Sequence, residues 1–203
     1  MACAALIHRF RTSSGVPLRY WKPIQTGIEQ DDDTREVRSL SGCAENDVLD
    51  AGVRLAHAVS PHLAARWSGL PIDMKTIIET FTSQKGPARW IVEGAGGALV
   101  PINESTLMID AMVALGLPVL IVSRSSLGTI NHTLLTIEAL RARSLTVSGV
   151  LMVGQPDAEN RAAIETYGRV PVVGQRPPLA PLTANALAHW AATDLDCEGR
   201  LPL

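Results

Sequence analysis

Four short segments carry residues whose types and spacing suit chemistry on a charged substrate. The first is Lys22-Pro-Ile-Gln-Thr-Gly27. The chain holds fifteen arginines but only three lysines, Lys22, Lys75 and Lys85. An ammonium beside a Thr hydroxyl and a glycine, just past a strand, offers a compact charge to phosphate or carboxylate. A surface lysine next to a turn is the other reading. The second segment, Gln30-Asp-Asp-Asp-Thr34, supplies carboxylates that suit Mg²⁺, which is held by one or two acids plus phosphates. Acids in the first turn of a solvated helix produce the same run without a metal. The third, Val92-Glu-Gly-Ala-Gly-Gly-Ala-Leu-Val-Pro-Ile102, sets Glu93 at the end of a buried strand, before glycines that let backbone approach a ligand closely. A Gly-rich turn with a solvated acid fits it as well. The fourth is Ser123-Arg-Ser-Ser-Leu-Gly-Thr-Ile-Asn-His132, where N–H groups at a helix start would bind an anion such as a carboxylate. A capped helix after a Ser-rich loop needs no ligand, and His132 reads as a helix-face residue rather than a base.

These segments sit between short apolar runs and longer helical stretches. Strands are predicted over Arg19–Lys22, Arg89–Glu93, Leu117–Val122, Thr146–Val153 and Val170–Val173, the third a continuous apolar run of the kind covered on both faces. Helices are predicted over Ala2–Arg11, Leu107–Leu115, Thr129–Arg143 and Asn160–Tyr167. In the third of these, Ile130, Leu134, Ile137 and Leu140 fall near a 3.6-residue period. Gly116 and Gly168 are suited to close two of the helices. Strands alternating with helices imply β–α–β units and an α/β fold with a mostly parallel sheet between helical layers. In such folds ligands lie beyond the carboxyl ends of the strands, where Lys22 and Glu93 stand. The chain opens on a helix and a turn at Ser13-Ser14-Gly15, where a doubly wound fold usually opens on a strand. No linker divides it, so one domain over residues 1–203 is expected, with a loose tail over 191–203.

Composition narrows the class. With 46% hydrophobic and 19% charged residues, the chain can bury a sizeable core and is not disordered. Its longest apolar stretch, Ala111 to Val122, is broken by Gly116 and Pro118, short of the ~20 residues of a membrane span. A net charge of −2 gives no reason to expect nucleic acid. Cys3, Cys43 and Cys197 lie far apart with no CxxC pair, and no secretory signal opens the chain. A soluble protein of the reducing cytoplasm, with neither membrane nor nucleic-acid partner, is the expectation.

In order and spacing, the chain resembles the dethiobiotin synthetase family from about Arg19 to Trp190. The resemblance rests on Lys22-Pro-Ile-Gln-Thr-Gly27, Asp33-Thr34, Val92-Glu-Gly-Ala-Gly-Gly97, Pro118-Val-Leu-Ile-Val122, Leu127-Gly-Thr-Ile-Asn-His-Thr-Leu-Leu-Thr136 and Ser148-Gly-Val150. It implies a P-loop NTPase-like, three-layer α/β fold. It also implies ATP- and Mg²⁺-dependent carboxylation of 7,8-diaminononanoate (diaminopelargonic acid) by CO₂, with ring closure to dethiobiotin in biotin biosynthesis. Lys22 would stabilise charge on the carbamate and the transferring phosphoryl group, and Thr26 would hydrogen-bond substrate. Asp33 and Glu93 would hold Mg²⁺. Glu93, Gly94, Ala95 and Gly96 would line the nucleotide site, and Arg176, Pro177 and Pro178 would form part of the base pocket. The helix start Gly128, Thr129, Ile130 and Asn131 would receive the substrate carboxylate, in the family usually across a homodimer interface.

Two departures stand out. The family opens with a strand and the loop G-x-x-x-x-G-K-[ST]; here no lysine follows a glycine, and Ala2–Arg11 resembles the helix that comes after that loop. The sequence therefore reads as an N-terminally incomplete product or a misplaced start, and the 203 residues alone are expected to turn over little or no ATP. Val153-Gly154 also stands where many members carry Asn-Asp. A non-catalytic homologue that binds a carboxylate ligand or another subunit is the rival reading. Amidases of the same fold carry a further glutaminase domain, and partitioning ATPases a deviant loop lysine, neither of which is found in this sequence.

Overall fold

A computed structural model describes residues 1–11, 15–84 and 86–201; the expected turn at Ser13-Ser14 lies outside them. The elements run α1 (Ala2–Phe10), β1 (Leu18–Trp21), β2 (Ile24–Thr26), α2 (Asp33–Ser41), a 3₁₀ turn (Glu45–Asp47), β3 (Val48–Leu49), β4 (Val53–Leu55), α3 (Pro61–Ser68), α4 (Met74–Gln84), β5 (Arg89–Val92), α5 (Met108–Leu115), β6 (Val119–Arg124), α6 (Thr129–Arg141), β7 (Val147–Val153), α7 (Ala158–Gly168), β8 (Val172–Arg176) and α8 (Ala184–Thr193). The expected strands and helices appear with edges shifted by a few residues. The last strand begins after Pro171 rather than at Val170, since proline has no N–H for a ladder. Gly168 is the final residue of α7, and Arg169 takes the left-handed cap at φ 47°.

Every strand pair is parallel, in the orders β3-β1-β5, β2-β4 and β6-β7-β8. Three apolar clusters hold the layers together. On one face α1 and α8 bury Ala4, Ile7, Leu187 and Trp190 over Tyr20 and Ile91 of one sheet and over Leu151 and Val173 of another. That helical layer therefore spans both sheets. On the other face Ile137, Leu140 and Ile164 of α6 and α7 cover Val150, Met152 and Val172. A third cluster packs α3, α4 and α5 around Trp21, Phe81 and Trp90, with Trp21 and Phe81 stacked at 5.8 Å. Local signals fix the helix ends. Asp32, Asp157 and Thr183 each accept a backbone N–H as N-caps of α2, α7 and α8, and Gly42, Gly69 and Gly116 close α2, α3 and α5 in the left-handed region.

The loose tail expected over 191–203 is corrected through residue 201. Ala191 and Leu195 are fully buried, and Leu201 nearly so. Asp196 N–H donates to Val173 O at 2.7 Å, Arg9 donates to Asp196 O, and the Asp196 carboxylate accepts the N–H groups of Arg200 and Leu201. Apolar burial against α1, together with the bonds to Val173 of β8 and Arg9 of α1, holds the segment down. Its short, irregular pattern carries no helical or strand period by which a sequence reading could find it.

Candidate active site

The site forms where β1 and β5 end side by side. Leu18 to Trp21 pair in register with Arg89 to Val92, and Glu93 N–H donates to Trp21 O at 2.8 Å. That pairing sets Glu93 next to Lys22. After β2 the chain turns at Gly27, whose φ is +68° and whose carbonyl accepts from Gln30 and Asp31. A side chain at Gly27 would lie 2.9 Å from Ala58 Cβ, so only glycine suits this corner. Gln25 Nε2 donates to Asp31 O at 3.0 Å, and α2 then begins at Asp33, directed back at Lys22.

Three predicted residues meet there. Lys22 Nζ lies 2.6 Å from Asp33 Oδ2 and 3.1 Å from Glu93 Oε1, and it donates to Gly94 O at 3.0 Å. The lysine side chain is 6% exposed and the two acids 27% and 25%, so one buried ammonium answers two carboxylates that water still reaches. Burial alone would lower the Lys22 pKa, but the charge of Glu93 and the bond and charge of Asp33 outweigh it and raise it. Burial would likewise raise Glu93; the Lys22 charge and hydrogen bonds from Cys3, Lys22 and Tyr20 hold it below its ordinary value.

Tyr20 and Cys3 were not singled out from sequence. Tyr20 Oη donates to Glu93 Oε2 at 2.9 Å, and burial followed by the Glu93 charge pushes its phenol far up. The same causes raise the Cys3 thiol, which also bonds Glu93. Both are therefore neutral donors. Tyr20 was findable: two residues before Lys22, it shares the face that alternation gives that lysine. Cys3 reaches the site only because α1 packs over β5, which no local pattern reveals. The cluster thus holds two negative charges against one positive and is tilted toward a further cation. Asp31 and Glu36 add to that tilt, since carboxylate oxygens of Asp31, Asp33 and Glu36 lie within 4.8 Å of one another. All are hard oxygen donors of the kind Mg²⁺ takes, so the residues present fit it.

The other predicted residues lie around this centre. Thr26 is half-buried at the end of β2, Gly94 and Ala95 line the turn beyond Glu93, and Gly96 is exposed at φ +80°. Gly128 caps α6 in the left-handed region, Thr129 is buried, Ile130 half-buried and Asn131 exposed. No recorded contact among the described residues joins these four to Lys22, Asp33 or Glu93. Arg176 is buried at the end of β8, bonds Pro177 O and leaves Nε without a partner; Pro177 and Pro178 follow toward the surface. Gly154 N–H donates to Arg176 O at 3.0 Å. Gly154 has φ +130°, and a side chain there would lie 2.3 Å from Ser125 Oγ. Both the backbone angle and that close approach suit glycine at position 154.

Comparisons with known proteins agree with this architecture. A family model described as an AAA domain matches residues 1–186. An ATP-dependent dethiobiotin synthetase of Paramagnetospirillum magneticum is 43% identical over 180 residues, 89% of this chain and 85% of the relative. One from Rhodopseudomonas palustris strain HaA2 is 44% identical over 179 residues, 88% and 82% of the two chains. Among solved structures, a ParA family ATPase from Chlorobium tepidum matches with a TM-score of 0.50 at 11% identity, over 95% of this chain and 93% of that one. At that identity the shared property is the fold, an α/β fold of the P-loop NTPase type.

Proposed function

The chain belongs to the dethiobiotin synthetase family, and from that premise we propose that it catalyses ATP- and Mg²⁺-dependent carboxylation and ring closure of diaminopelargonic acid with CO₂. The reading rests on one observation: a buried ammonium, Lys22, within 3.1 Å of both Asp33 and Glu93 at the carboxyl ends of parallel strands. One amine of the substrate adds to CO₂ and gives a carbamate. The carbamate oxygen takes the terminal phosphoryl group of ATP, releasing ADP. The second amine then attacks the carbamate carbon and expels phosphate, closing the ring. Lys22 neutralises charge on the carbamate and phosphoryl oxygens, positioning and neutralisation being what phosphoryl transfer mainly requires. Tyr20 and Cys3 fix Glu93 in its carboxylate form. Asp33 and Glu93 would hold Mg²⁺, which supplies charge to phosphate oxygens when bound.

Thr26 and the amides of Gly128 to Asn131 are the proposed contacts for substrate, and Glu93 to Gly96 with Arg176 to Pro178 those for nucleotide. The unpartnered Arg176 Nε supports the latter. A homodimer is proposed on the exposure of Leu127 and Leu135 at the α6 end of the molecule, and sedimentation of Leu127→Lys tests it. No helix among the described residues is long and apolar enough to cross a membrane, and the free thiols of Cys3, Cys43 and Cys197 suit a reducing cytoplasm.

The test supplies the 203-residue chain with ¹⁴C-bicarbonate, MgCl₂, ATP and diaminopelargonic acid. Labelled dethiobiotin, formed one-to-one with ADP and lost in Lys22→Met, would establish the synthetase reading and overturn the expectation of little or no ATP turnover that the absent G-x-x-x-x-G-K-[ST] loop sets for these 203 residues. The absence of labelled product, with diaminopelargonic acid binding by calorimetry unaffected by nucleotide, would favour the non-catalytic reading.

A further inference from the structure

β2 holds three residues, and its middle one, Gln25, is a polar side chain only 4% exposed. Ile24 before it joins the apolar cluster of Trp21 and Phe81, so alternation turns Gln25 to the opposite face of the strand. There Nε2 donates to Thr26 O at 2.8 Å and to Asp31 O at 3.0 Å. Oε1 is buried and has no partner among the described residues. The reverse orientation of the amide would set its oxygen against two carbonyl oxygens, so the two donor bonds fix it. A buried acceptor left unpaired is a cost that an apolar residue of the same size avoids. Packing alone therefore does not account for glutamine at this position.

The two carbonyls stand on either side of the turn at Gly27. Before the turn the backbone is anchored on β4: Ile24 to Thr26 pair with Val53 to Leu55, and Gly27 N–H donates to His57 O. After it, Glu29, Gln30 and Asp31 are exposed, so the turn is held from inside by hydrogen bonds rather than by packing. Those bonds are Gln30 and Asp31 N–H to Gly27 O, and Gln25 Nε2 to Asp31 O. Two residues beyond Asp31, α2 opens at Asp33, whose Oδ2 lies 2.6 Å from Lys22 Nζ.

We propose that Gln25 is a positioning residue, whose carboxamide clasps the turn over residues 26–31 and so holds Asp33 against Lys22. The role deepens the proposed function and rests on its reading of Asp33 as a cation ligand. Gln25 itself acts through the Asp31 backbone. Without its two donors the Asp31 carbonyl turns to water, the start of α2 moves off, and Glu93 is left as the single acid beside Lys22. A cation shared by Asp33 and Glu93 then loses one of its oxygens.

The experiment compares four variants of the 203-residue chain by NMR in EDTA and, separately, by Mn²⁺ binding without nucleotide. With only three lysines in the chain, the Overhauser contact between the Lys22 ε-methylene and the Asp33 β-methylene is readily assigned. Gln25→Met keeps the length of the side chain without donors, and Gln25→Glu keeps its shape but turns a second oxygen on the carbonyls. Both are expected to lose that contact and to bind Mn²⁺ about tenfold more weakly, as when a group behind a metal ligand is removed. Gln25→His, whose ring Nε2–H stands near the place of the amide nitrogen, is expected to restore both. Ile164→Ala, at a buried position in the cluster of α6 and α7, loosens the chain elsewhere and is expected to change neither. An intact contact in Gln25→Met or Gln25→Glu overturns the proposal, as does an equal loss in Gln25→His or in Ile164→Ala. A parent chain that binds no Mn²⁺ refutes the cation reading of Asp33 instead, and the Overhauser contact still decides the role of Gln25.

Discussion

Replacing Lys22 by Met is expected to destabilise the chain through the charges it leaves behind rather than through lost packing, because Met keeps most of the buried stem. Removing one partner of a buried ion pair costs about 3–5 kcal/mol, since the surviving charge has no counter-ion. Here Asp33 and Glu93 are each about a quarter exposed, so solvent takes up part of that penalty and about 2–3 kcal/mol is expected. Glu93→Gln leaves Lys22 paired to Asp33 at 2.6 Å and is expected to cost about 1 kcal/mol. In the double variant Lys22→Met no longer strands Glu93, so its loss is expected to fall short of the sum of the two single losses by about 1–2 kcal/mol. The assay is urea unfolding followed by circular dichroism at pH 7 with EDTA, which keeps a divalent cation from standing in for the ammonium. Losses that add to within about 0.3 kcal/mol would refute the shared charge centre.

Other consequences can be measured on the same chain. Leu195→Ala, at a fully buried position, is expected to cost about 2–4 kcal/mol in urea unfolding; a loss below about 0.5 kcal/mol would return the segment to a loose tail. Gly154→Ala forces a side chain into a left-handed backbone and against Ser125, and is expected to cost about 1–3 kcal/mol, read as a lowered Tm. Glu93 has a folded pKa below its ordinary 4.5, so its contribution is present above that value and lost as pH falls below it. In EDTA, Glu93→Gln is expected to flatten that acid limb of the stability curve, and an unchanged limb would show that the carboxylate is not held down.

What the sequence made legible follows a physical rule. Long apolar runs and strong helical periods gave β6, β7 and α6, because burial on two faces or along one stripe writes itself into local pattern. The three-residue strands Ile24–Thr26 and Val53–Leu55 are too short to carry a period. The stretch over α3 and α4 carried no motif to draw attention to it. At the site, Lys22, Asp33 and Glu93 stood out because lysine is scarce and acids sit at strand or helix ends. Their meeting depends on the register of β1 with β5 and on the turn at Gly27, neither of which one segment specifies alone. Cys3 and the packing of Leu195 are wholly tertiary, set by α1 lying across two sheets.

The most direct test of a cation shared by Asp33 and Glu93 beside Lys22 is Mn²⁺ binding without nucleotide, followed by loss of the free-ion EPR signal. Asp33→Asn and Glu93→Gln are each expected to weaken binding at least tenfold, and Asp50→Asn, on an exposed carboxylate paired with Arg54, to leave it unchanged. Equal affinity in all four proteins would contradict the assignment of the site.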